Sequence, residues 1–202
     1  MNRRDLLVLG SGSLLLARTA LADGDSTPAR LRGKVDAVSG NTLELTLRNG
    51  DKASAQLPSN TRFVWLTKTK LSEINEGSYV GTAAVSQLDG TFKALEVQVF
   101  PPSTRGVGEG TREWDLGAGS SMTNGTVGSL TTTNGRVITI AYKGGEMRVL
   151  VPDNVPIVTY EPADRSALTP GANVLVNGMR KTDGTVVASS VSVGKDGLVP
   201  PM

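Results

Sequence analysis

The chain has no cysteine and no histidine among its 202 residues. Without cysteine there is no disulfide, no thiol nucleophile and no thiolate ligand, so core burial alone must hold the fold, even in an oxidising compartment. Without histidine, the usual general base near neutral pH and the commonest ligand for zinc, copper and haem are absent. Aromatic residues make up only 4% of the chain, which leaves aliphatic side chains to fill any core. No apolar run reaches the ~20 residues of a membrane-spanning helix. The chemistry that remains is that of carboxylates, cationic side chains and hydroxyls. The sequence predicts no cofactor, no metal site and no catalytic residue of its own.

The first residues, MNRRDLLVLGSGSLLLARTALADG, have a basic start, a modestly apolar middle and small residues at Ala20-Leu21-Ala22. This is the three-part layout of a cleaved export signal, and it predicts that residues 1–22 are removed. Arg3 and Arg4 stand just before the apolar stretch, as in a twin-arginine signal; an ordinary secretory signal is the alternative. Of the 21 basic and 19 acidic residues, Arg3, Arg4, Arg18 and Asp5 leave with the signal, so eighteen of each sign remain. A mature chain of zero formal charge gives no electrostatic footprint for nucleic acid. The expected location is the periplasm, with no integral membrane segment after cleavage.

The sequence also repeats itself. QLDGTFKALEVQVF at 87–100 and KTDGTVVASSVSVG at 181–194 lie ninety-four residues apart, and the same offset pairs Gly77 with Gly171, Val80 with Val174, Ser72 with Ser166 and Pro58 with Pro152. Farther upstream GKVDAVSGNTLELTL aligns with GTVGSLTTTNGRVITI only if the second copy has a longer turn, and turns are where insertions belong. Within each copy apolar residues alternate with polar ones, as in Leu43, Leu45 and Leu47 or Leu95, Val97 and Val99, which predicts half-buried strands with Glu96 and Gln98 on the polar face. Asn49-Gly50, Asp89-Gly90, Gly144-Gly145 and Asp183-Gly184 predict tight hairpins between them. Residues 70–77 and 164–171 space their apolar positions three apart and end in glycine, the pattern of a single helical turn.

These features predict an all-β protein of two tandem, small, OB-like antiparallel barrels, each plugged by its helical turn. The expected division is a signal at 1–22, one barrel at 29–100, a Gly-rich connector at 101–123, a second barrel at 124–195 and a tail at 196–202. The cadence G-x-V, hairpin, L-S-x-I-x-x-G-x-x-V and D-G-T-x-x-A-x-x-V-x-V resembles a group of exported bacterial β-domains, OB-like and often in tandem, to which no activity is assigned. The whole arrangement is similar to proteobacterial proteins labelled metal-transporter permeases. The chain contradicts that label, because a permease needs several apolar spans.

The connector is the most informative polar segment. It holds Arg105, Glu109, Arg112, Glu113, Trp114 and Asp115 within eleven residues, a set that points either to a ligand or partner surface or to a brace, with Trp114 mostly buried in the seam and touching both barrels. Gly106-Val107-Gly108-Glu109-Gly110 reads as a flexible linker, not a phosphate loop, since no helix follows it. Ser192 and Lys195 match an S-x-x-K spacing, but at the end of a strand such positions face opposite ways. Trp65 and Tyr160 occupy nearby places in the two copies, where core packing or an OB-like binding face are both open. The leading expectation is a non-enzymatic, periplasmic binding or interaction protein that meets an envelope protein or small ligand at the inter-barrel seam. The alternatives are a glycan hydrolase using Glu109, Glu113 or Asp115 across a gap of roughly 5 to 10 Å, or an accessory of a metal-transport system.

Overall fold

A computed structural model describes residues 26–131 and 137–201. The expected export signal at 1–22 and the tip of the longer turn after Thr131 lie outside these residues. The described residues are nearly all β, in thirteen strands: β1 (Thr27–Ser39), β2 (Thr42–Leu47), β3 (Lys52–Gln56), β4 (Arg62–Lys68), β5 (Tyr79–Ser86), β6 (Phe92–Val99), β7 (Gly110–Glu113), β8 (Ser120–Thr131), β9 (Val137–Tyr142), β10 (Gly145–Leu150), β11 (Ile157–Pro162), β12 (Asn173–Arg180) and β13 (Val186–Gly194). Single 3-10 turns at Leu71–Glu73 and Arg165–Ala167 stand where the three-residue spacing places them, and two more occupy Pro102–Thr104 and Lys195–Gly197.

The strands close into two five-stranded rings. In the first, β1 pairs with β2, β2 with β3, β3 in parallel with β13, β13 with β12, and β12 with β1 again. In the second, β8 pairs with β9, β9 with β10, β10 in parallel with β6, β6 with β5, and β5 with β8. This path differs from the expected division into 29–100 and 124–195. Each ring takes three strands from one half of the chain and two from the other. The physical reason is that both halves offer similar edges, so β5 and β6 can close on β8–β10 as well as on β1–β3. Continuous strands decide the outcome: β4 and β11 run on from one ring into the other instead of turning back.

The crossing strands pair antiparallel with each other, Leu66 opposite Tyr160, and β4 lies parallel to β13 while β11 lies parallel to β6. Leu66 and Tyr160 are ninety-four residues apart, so the pairing is centred on positions that the sequence alignment makes equivalent. Gly33 and Gly125, also aligned, have parallel roles. A Cβ on Gly33 would stand 2.3 Å from the Thr46 carbonyl oxygen, and one on Gly125 would stand 2.4 Å from that of Ala141. These close approaches, with bulges just beyond at Val35/Ala37 and Val127/Ser129, bend the long strands β1 and β8 as they pass from one ring neighbour to the next.

Each ring has its own core. Leu31, Val35, Leu43, Leu45, Val176 and Val191 fill the first, capped by Ala167 and Leu168 of one helical turn. Val80, Val97, Val127, Ile138, Ile140 and Val149 fill the second, with Ile74 from the other turn. The alternation of Leu43 and Leu45 with exposed Glu44 agrees with the period-two reading. At β6 it does not. Glu96 is 0% exposed and Gln98 3%, with Tyr160 of β11 and the Arg48 guanidinium close enough to feel the Glu96 charge.

Candidate functional site

The seam between the rings is built from the connector and from β1. The connector departs from the expected flexible linker: β7 adds a strand to β8, and the Val107 carbonyl accepts hydrogen bonds from the Tyr79 hydroxyl (3.2 Å) and Asn124 Nδ2 (3.1 Å). Arg105 donates to the Gly77 carbonyl, Arg112 donates to the Gly108 carbonyl at 3.0 Å, and the Glu109 carboxylate accepts the Lys143 backbone N–H at 3.1 Å. Glu113 is exposed on β7, opposite Ser121.

Trp114 is partly buried against a cluster of Ala83, Met122 and Leu175, with Leu95 and Leu116 beside it. Leu175 belongs to the first ring; Ala83, Met122 and Leu95 belong to the second. The Arg30 guanidinium lies 3.8 Å from the indole centroid and that of Arg112 lies 5.4 Å away, an arrangement in which the π face stabilises positive charge. Asp115 accepts two hydrogen bonds from Arg32, at 2.9 and 2.7 Å. The Arg32 hydrogen bonds, more than desolvation opposes, hold the Asp115 carboxyl below its ordinary range. β1 places Arg30 and Arg32 on one face by its two-residue period, while Ala29 and Leu31 enter the core. Arg105, Glu109, Arg112 and Asp115 are thus engaged within the chain while Glu113 faces solvent, and sequence spacing offered no sign of the arginine that holds Asp115 from eighty-three residues away.

Beneath the seam lies a buried polar corner that the sequence reading missed. Gln98 Nε2 donates to Glu96 Oε1 at 3.1 Å. Burial first, and then the nearby Glu96 charge, push the Tyr160 hydroxyl far above its ordinary pKa, against the pull of a hydrogen bond with Gln98. The aligned positions are Ser190, Ser192 and Leu66, and Leu66 packs with Val158, Leu198 and Tyr160 itself. One signal was available: large polar residues in one copy stand where the other has serine, while Tyr160 stands where the other has leucine.

The open concave surface lies elsewhere, around Trp65 on β4. Two shallow depressions, of about 320 and 260 Å³, share Trp65 and Ala167 as walls. Asp164 and Ser166 line one; Asn173 and Asp196 line the other. Trp65 is half-buried and packs against the first core on its inner side. Asp164 Oδ1 accepts from both the backbone N–H (2.7 Å) and the hydroxyl (2.5 Å) of Ser166, and those bonds hold its pKa down, the side-chain bond contributing most. Lys195 is ion-paired with Glu161 at 2.8 Å and not with Ser192, which lies buried in β13.

Among the described residues no group of three or more Asp, Glu, His or Cys is placed to hold a metal, and no helix is long and apolar enough to cross a membrane. None of Glu109, Glu113 or Asp115 lines either depression. Compared with known proteins, the chain matches no family model, no curated protein and no solved structure.

Proposed function

We propose that this chain is an exported, periplasmic, non-enzymatic binding protein, built from two copies of an OB-like unit that have exchanged their last two strands. The observation that carries the reading is the division of labour between its two tryptophans. Trp114 packs against both rings and its neighbour Asp115 is bonded to Arg32 of the first ring, whereas Trp65 borders open concave surface. The connector is therefore a brace, and the contact surface lies on β4 and the loops beside it. The pairing of Leu66 with Tyr160, and the matched close approaches at Gly33 and Gly125, support the duplication. The basic, apolar and small-residue order of residues 1–22 supports export.

A co-sedimentation experiment tests the reading. Purified chain beginning at Asp23, mixed with washed envelope material from a bacterium, should be retained saturably by the pellet and released by excess unlabelled protein. Folded protein that stays wholly in the supernatant overturns the proposal.

A further inference from the structure

We infer that the groove around Trp65 is a binding site for a neutral glycan chain, an inference that rests on the binding-protein reading above and names its ligand class. Trp65 packs against the first core on one side and leaves part of its ring to the depressions, a part-exposed aromatic surface that an occupant with an apolar face can cover, and the walls beside it are small. They are alanine, glycine, proline and short polar residues; no long aliphatic and no cationic side chain lines either depression. Sugar rings have an apolar face that lies against an indole and a rim of hydroxyls that need hydrogen-bond acceptors, and amphipathic aromatics meet such mixed surfaces well.

The acceptors are present. Asp164 uses Oδ1 in its turn with Ser166, so Oδ2 takes no part in that turn. Asn173 donates through Nδ2 to the Gly197 carbonyl at 3.3 Å, which leaves Oδ1 as an acceptor. Asp196 adds a second carboxylate, held in the left-handed region at φ 51°. No cationic side chain lines either depression, and Lys195 beside Asp196 is ion-paired with Glu161, so the two carboxylates disfavour phosphate, uronate and nucleic acid and accept hydrogen bonds from the hydroxyls of an uncharged sugar. The depressions adjoin each other, share Trp65 and Ala167 as walls and are open to solvent, a shape that suits successive units of a chain better than one enclosed molecule.

The two-copy construction argues against a purely structural role for this surface. The positions ninety-four residues from Trp65, Asp164 and Asn173 carry Thr159, Lys70 and Tyr79, and Tyr79 is buried and stacked near Phe100 at 5.5 Å. A ring closes there without the tryptophan or the carboxylate. The aromatic-acidic groove is thus present at one of the two equivalent places and not at the other.

Titration calorimetry on the mature chain with cellohexaose, chitohexaose and hexagalacturonate tests the inference. Saturable binding is expected for at least one of the two neutral hexasaccharides, and which of them binds identifies the sugar. Hexagalacturonate should bind at least tenfold more weakly. Trp65→Ala should weaken the neutral ligand at least tenfold, with Trp65→Phe intermediate. Asp196→Asn, at an exposed position, gives a second reading if Trp65→Ala folds poorly: it should narrow the preference for neutral over anionic sugar. No heat with either neutral hexasaccharide at millimolar concentration, equal affinity for hexagalacturonate, or full affinity in folded Trp65→Ala each overturns it. If envelope material still retains the chain in any of those cases, the binding-protein reading stands and only the glycan assignment falls.

Discussion

Asp115 carries the clearest pH signature at the seam. Its folded pKa lies below the ordinary value of 3.8, mainly through its hydrogen bonds with Arg32. A depressed carboxylate contributes stability that is fully present above the unfolded pKa and is lost as pH falls through the folded one. Acid unfolding should therefore begin below about pH 4, and Asp115→Asn should flatten that part of the profile in urea titrations across pH. The carboxylate side chain is 43% exposed, so screening limits its contribution near pH 7 to roughly 1 kcal/mol or less. Trp114→Ala is the larger change. A core tryptophan truncated to alanine costs about 3–5 kcal/mol, and this partly buried ring should cost about 2–3 kcal/mol by chemical denaturation. Loss of the indole also strips Arg30 of its cation–π contact. The expectation of a mostly buried wedge that touches both rings agrees with its place in the structure.

At the scale of elements, the bent strands β1 and β8 are the sensitive parts. Gly33 and Gly125 admit a neighbouring carbonyl where any side chain would collide with backbone, and backbone cannot move aside as a flexible side chain can. Gly33→Ala should destabilise by about 1–3 kcal/mol or more, as overpacked sites do, with the loss read from the urea midpoint. Glycines in the hairpins meet a different constraint. Gly50, at φ +90°, has open space around it, so alanine there is limited only by backbone strain of about 1 kcal/mol. The two classes look alike in the sequence. What separates them is whether another strand lies against the chain.

At the scale of the whole molecule, exchanged halves tie the rings together more firmly than any seam contact. An N-terminal piece containing β1–β6 and a C-terminal piece containing β7–β13 each supply strands to both rings. A protease site inserted at exposed Gly106 to Gly108 should leave, after cutting, two fragments that co-elute in gel filtration and separate only in denaturant. Two contiguous barrels joined by a linker would instead come apart as independent monomers. The same linkage predicts that Trp114→Ala lowers the melting temperature but keeps a single calorimetric transition, because neither ring can unfold without removing strands from the other.

Local physics was legible in the chain, and long-range choice was not. Strand positions, hairpins and the helical turns at 70–77 and 164–171 follow from side-chain period and turn chemistry, which act over a few residues, so Leu43, Leu45 and Ile74 enter cores as their spacing requires. Trp114 between charges already suggested a brace, although its cationic partner Arg30 could not be inferred at such separation. Which β-strands close which ring depends on edges that both halves of the chain present nearly alike, so the sequence pattern is compatible with either connection. Only the extended path of β4 and β11 separates the two. Glu96 and Gln98, which alternation alone places in water, lie buried near Tyr160 of the crossing β11, and the crossing brings Trp65 beside the loops around Asp164 and Asp196. Burial of a strand's second face and the shape of a groove depend on what packs against them, and that neighbour is chosen by the tertiary fold.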